Sequence, residues 1–156
     1  PFFLFAILLV AILKPTLGSV IFAIAVVSWP PMARLVRSEF LSVRNREYVQ
    51  ACVVMGMSHG QIIFKHVLPN TLSPIIVTGS LMVATAILIE SGLSFLGLTD
   101  PNVMSWGFII GSGRTVLRTA WWVCAMPGIA ILLTVMAINL VGEGLNDALN
   151  PRLKNI

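Results

Sequence analysis

The chain has 156 residues, 57% of them hydrophobic and 10% charged, with ten Lys and Arg against six Asp and Glu. A soluble domain carries about a quarter charged residues, and a chain of this size has too much surface to hide so much apolar area. The mean hydropathy of +0.94 therefore excludes a soluble enzyme, a secreted disulfide module and a disordered tail, and predicts a chain embedded in a membrane.

Four apolar stretches follow one another. The first, Pro1 to Leu13, is closed by Lys14-Pro15. It falls short of the ~20 residues a crossing needs. It also opens without Met or a basic lead, so the sequence is expected to begin inside a span and to be the carboxy-terminal part of a longer protein. The second, about 16–33, holds Trp29-Pro30-Pro31, where two prolines predict a kink or a change of direction. The third is uncharged from Thr71 to Ile89 and extends to about residue 96. Its uncharged part rises ~28 Å as a helix, close to one hydrocarbon core. The fourth, about 120–141, is also uncharged.

The connections differ. Met32 to Asn70 holds Arg34, Arg37, Arg44, Arg46 and Lys65 against Glu39 and Glu47. Gly97 to Thr119 holds Arg114 and Arg118 against Asp100, and the tail adds Arg152 and Lys154. Basic residues on cytoplasmic loops set orientation, so the 32–70 connection and the carboxy terminus are expected in the cytoplasm. In the outer connection, Gly107-Phe108-Ile109-Ile110-Gly111 has small-xxx-small packing spacing. It reads equally as a re-entrant segment or as an interfacial helix near Trp106, Trp121 and Trp122. The ten basic residues are too dispersed for a nucleic-acid stripe. Cys52 and Cys124 lack metal-ligand spacing and a disulfide-rich context.

The 45–70 segment changes character. Glu47 to Met55 predicts a short helix with Tyr48, Ala51, Cys52 and Met55 at helical spacing. Gly56 can end it, because glycine accepts positive φ without steric cost. Ser58-His59-Gly60-Gln61 has the form of a capping box and starts a second helix, expected to end at Leu68-Pro69. This helix, glycine turn, helix and proline hangs between two spans. It reads as a solvated loop, as a DNA-binding helix-turn-helix, or as a docking element for a partner groove. The second helix offers Gln61, Lys65 and His66 among Ile62, Ile63, Phe64 and Val67, too apolar for reading base edges. A short exposed helix this apolar favours docking.

Gln50-Ala51-Cys52-x3-Gly56-x9-His66-Val67-Leu68-Pro69 resembles the "EAA" loop of ABC importer permeases, Glu-Ala-Ala-x3-Gly-x9-Ile-x-Leu-Pro. The spacing matches throughout. Gln50 replaces Glu and loses its charge, Cys52 replaces the second Ala, and His66 replaces Ile. Trp29-Pro30-x3-Arg34-Leu35-Val36-Arg37, Leu93-Ser94-Phe95-Leu96-Gly97-Leu98, Ser105-Trp106-Gly107 and Asn146-Asp147-Ala148-Leu149-Asn150-Pro151-Arg152-Leu153 are similar to the dipeptide/oligopeptide/nickel branch, particularly its second permease subunit.

The resemblance implies an all-α membrane protein, a polytopic helical bundle with about four of six spans present, in the cell inner membrane. It implies a permease passing peptides or a related solute such as nickel or a glutathione-like compound. The implied partners are a second permease subunit, two ATP-binding subunits and an extracytoplasmic solute-binding protein, together with membrane lipid and no nucleic acid. The coupling loop to the ATPase would include Glu47, Gln50, Ala51, Cys52, Gly56, His66, Leu68 and Pro69.

No phosphate loop of the form Gly-x4-Gly-Lys-Ser/Thr occurs, and Gly111-Ser112-Gly113-Arg114 is a lone Gly-x-Gly. ATP chemistry is expected on another chain, and no catalytic, cofactor or metal residue is assigned here. His59 and His66 read as surface histidines, and the scattered methionines as core filling. Asn139, Glu143 and Asp147, four apart, share a helical face that reads as a helix-packing or subunit-contact stripe. Glu90 is the ionisable residue associated with an apolar span. It either snorkels or bonds a neighbouring helix, or lines the translocation path or outer gate. The competing reading is a secondary transporter or channel fragment without ATP coupling. Such a carrier usually shows several buried carboxylates, histidines or broken helices.

Overall fold

Long runs of Leu, Ile, Val and Ala with few polar interruptions satisfy their backbone internally only as helices. The computed structural model, which describes residues 2–149, is accordingly helical. Helix α1 spans Phe2–Leu13, α2 Leu17–Arg44 and α3 Glu47–Val54. A single turn α4, His59–Gln61, leads into a π-helical stretch, Ile62–Val67, and then α5, Leu68–Phe95. Helix α6 spans Trp106–Gly113 and α7 Trp122–Leu149. Three helical runs, Leu17–Arg44, His59–Phe95 and Trp122–Ala148, are long and apolar enough to cross a membrane. The tail charges Arg152 and Lys154, and the end of the closing motif from Asn150 on, lie outside the described residues.

The chain divides into two compact units. The first takes the residues up to Trp29 and Leu81–Leu140, the second Pro30–Ser80 and the residues from Val141 on. The first is built around buried Ala6, Val10, Val20, Ala23, Val27 and Leu93. The second is built around Val43, Val49, Cys52, Ile62 and Val67, with Phe40 and Met57 packed against them.

Pro30 and Pro31 lie inside α2, which runs on past the apolar stretch to Arg44. Each proline removes one backbone bond, and the bonds on either side carry the helix on. Pro69 likewise does not end the second helix of the 45–70 segment. The π stretch precedes it, with Leu68 N–H donating to Ile63 O, five residues back. That wider register absorbs a ring that would clash in a regular turn. Asn70 Nδ2 donates to His66 O at 2.7 Å and Thr71 Oγ1 to Leu68 O at 3.0 Å, so side chains occupy carbonyls near the proline.

In the second unit α5 and α7 meet closely. A Cβ at Gly142 would lie 1.9 Å from Ser80 Oγ, and Ser73 Oγ donates to Asn146 Oδ1. Packing within this unit therefore runs through Gly142 and Asn146. Glu143 and Asp147 are exposed, so the carboxylates of the expected stripe do not form an intrachain packing face.

Candidate functional site: a two-helix knob and a carboxylate groove

The 45–70 segment forms a knob within the second unit. Helix α3 is apolar on nearly every side, so spacing alone could not fix its inward face. The buried positions are Val49 and Cys52, while Tyr48, Ala51 and Met55 face out. At its end, Met57 N–H donates to Cys52 O at 3.2 Å and Gly56 N–H to Val53 O at 3.0 Å. With Gly56 at φ +77°, these are the paired bonds of a Schellman motif. Met57 supplies its usual apolar contact by packing on the core that contains Cys52.

Ser58 then caps the next helix in the expected box. Gln61 N–H donates to Ser58 Oγ and Ser58 N–H to Gln61 Oε1. The turn is thus set by backbone bonds, one glycine and the reciprocal Ser58–Gln61 box. Outside it stand Val54, 87% exposed, Phe64, 73%, and Met55, 70%. Val53 and Ile63 are also exposed. These large apolar side chains stand uncovered by any described residue on the outside of the knob.

The sequence-derived residues of this loop divide in two. Glu47, Gln50, Ala51, Gly56 and Pro69 are exposed, and His66 and Leu68 are half-buried. Gln50 Nε2 reaches Asn45 O at 3.4 Å. Cys52 is 5% exposed and belongs to the knob's core, so it holds α3 down and presents no surface. Val53 and Val54 were not singled out from the sequence, and exposed Phe64 was noted only within the apolar second helix. Their signal was apolar character on the side of the helix away from its buried positions.

Glu90 lies in the first unit, near the end of α5. That helix closes in a second Schellman motif: Leu98 N–H to Leu93 O at 2.9 Å, Gly97 N–H to Ser94 O at 3.0 Å, and Gly97 at φ +76°. The chain then folds back, and α6 lies along α5. A Cβ at Gly107 would sit 2.3 Å from Ser91 O, and one at Gly111 3.0 Å from Phe95 O. Both pairs keep the same sequence offset, so α6 runs parallel to the last turns of α5. The two glycines are therefore a packing pair on a fold-back helix.

Polar groups fasten this fold-back. Ser105 caps α6, accepting from Phe108 N–H, and donates to Ser94 Oγ at 2.9 Å. Buried Ser94 donates to Glu90 Oε1 at 2.5 Å, a length typical of a hydroxyl on a carboxylate. Thr99 Oγ1 lies 3.1 Å from the same Ser94 oxygen. Beside this chain opens a groove of about 760 Å³, walled by Ile21 and Ile24 of α2, Ile87 and Glu90 of α5, and Ser105 and Trp106. Among the described residues no group of three His, Cys, Asp or Glu could hold a metal ion.

The fold defines a helical polytopic membrane protein with a two-helix knob between two of its long helices. Residues 1–155 match the family of binding-protein-dependent transport system inner membrane components, and the chain belongs to that family. It is 44% identical over 156 residues to the dipeptide transport system permease protein of Alkalihalophilus pseudofirmus, covering 99% of this chain and 51% of that relative. It is 45% identical over 156 residues to the di/tripeptide transport system permease protein of Pseudomonas aeruginosa, covering 99% and 52%. The chain thus spans about half the length of these curated relatives.

Proposed function

We propose that the chain is part of the permease subunit of an ATP-driven importer for short peptides, and that it performs no bond chemistry itself. In this reading it lies in the inner membrane beside a second permease subunit. Two ATP-binding subunits and an extracytoplasmic solute-binding protein complete the importer. The 45–70 knob and the carboxy terminus face the cytoplasm. The knob seats in the ATPase through Val53, Val54, Met55 and Phe64, with Gln50, Ala51 and Gly56 beside them. Leu68 and Pro69 join it to the membrane helix.

The observation that carries this reading is the knob itself: an apolar cap on a turn fixed by Gly56 and the Ser58 box. A rigid cap continuous with α5 can convert movement of its partner into movement of a membrane helix, and so shift inward- and outward-open populations. The names of the relatives support a peptide as cargo. The test is ATP-driven dipeptide uptake by the full-length importer in vesicles. Gly56→Val should insert and assemble, yet fall roughly tenfold in uptake. Undiminished uptake in that variant, or uptake that survives removal of the ATPase, overturns the proposal.

A further inference from the structure

We infer that the groove beside Glu90 is a subsite for a primary ammonium group, the amino terminus of a peptide in transit. This rests on the peptide-permease reading and adds to it the group that is recognised and the residue that recognises it. Glu90 is the one charged side chain among the groove's lining residues. Its Oε1 accepts a hydrogen bond from buried Ser94, which in turn accepts one from Ser105 at the base of α6. The carboxylate is therefore positioned by the fold-back, and Oε2 has no bonding partner among the described residues.

The rest of the lining is mostly apolar: Ile21, Ile24, Val83, Ile87 and Ile109. An ionised carboxylate is acceptor-only, and in apolar surroundings it is costly unless a donor meets it. An acyl chain would fill the walls and leave that cost in place. A phosphate or carboxylate would add repulsion. A transition-metal ion needs several ligands, and the described residues offer no such group. An ammonium with apolar substituents satisfies both the carboxylate and the walls. The groove's volume also falls in the range of small-molecule clefts.

The test uses the full-length importer in phosphatidylglycerol vesicles without aminolipid. The probe is the photoreactive dipeptide alanyl-p-benzoylphenylalanine, compared with its N-acetyl form. Attachment within residues 21–25 and 104–109 is read by mass spectrometry without ATP. The free-amine probe should label these segments at least about tenfold more than the acetylated one, the scale of one charge-assisted bond. Glu90→Gln should erase the difference and Glu90→Asp should retain part of it. Equal labelling by both probes in the wild type overturns the inference whether or not any variant folds. So does discrimination that persists in a well-assembled Glu90→Gln importer. ATP-driven accumulation of the dipeptide by the wild type, measured in the same vesicles, tests the permease reading separately.

Discussion

Two turns of the molecule have the same backbone and different surroundings. Gly56 and Gly97 adopt φ +77° and +76°, each ends a helix in a Schellman motif, and each follows a buried anchor, Cys52 or Leu93. After Gly97 the chain returns, and α6 packs on α5 through Gly111 at Phe95, with the Arg114 guanidinium 5.9 Å from the Phe95 ring. After Gly56 no described residue covers the corresponding Val54, which is 87% exposed against 40% for Phe95. The same local solution ends in a partly covered helix end in one place and a more fully exposed apolar cap in the other.

The largest effect is expected where the Gly97 turn gains its cover. Gly107→Val places a side chain against the Ser91 backbone, which cannot swing aside, and should cost ~3 kcal/mol or more, the upper end of overpacking. A fall in the thermal unfolding midpoint of the detergent-solubilised importer would register it. At the other turn, Gly56→Val forces a β-branched residue into positive φ at a cost of about 1–3 kcal/mol. That strain should tilt the knob and reduce uptake by roughly tenfold, the factor that about 1.4 kcal/mol of lost docking gives. Gly97→Ala carries a left-handed cost of about 1–2 kcal/mol and should lower stability while leaving coupling intact. Uptake normalised to assembled protein separates these two glycine variants. Ser58→Ala removes one cap and should cost ~1 kcal/mol, visible as faster proteolysis within residues 56–61.

Much of the knob was legible in the sequence because its parts are local. Gly56 and the Ser58–Gln61 box act through bonds to residues three to five away, and both formed as expected. The inward face of α3 was not legible, because Tyr48 to Met55 is apolar almost throughout and Phe40, Val43 and Ile62 decide which side is buried. Pro69 misled for a related reason. A proline's local preference is to stop a helix, and a preceding π stretch overrides it. Glu90 stood out by its charge, but its tie to Ser105 depends on a fold-back that brings together residues fifteen apart. The spacing of Gly107 and Gly111 announced a packing face without naming its partner.

The central claim, that the Gly56 cap is a seat for an ATPase, is tested most directly by charging equivalent positions of the two turns. Met55 and Leu96 are the C-cap residues, 70% and 50% exposed. Met55→Asp and Leu96→Asp would each be introduced into the full-length importer, and the ATP-binding subunit retained on purification would be measured against wild type. The account predicts that Met55→Asp loses the subunit and Leu96→Asp keeps it. Retention in Met55→Asp, or equal loss in both, would contradict it.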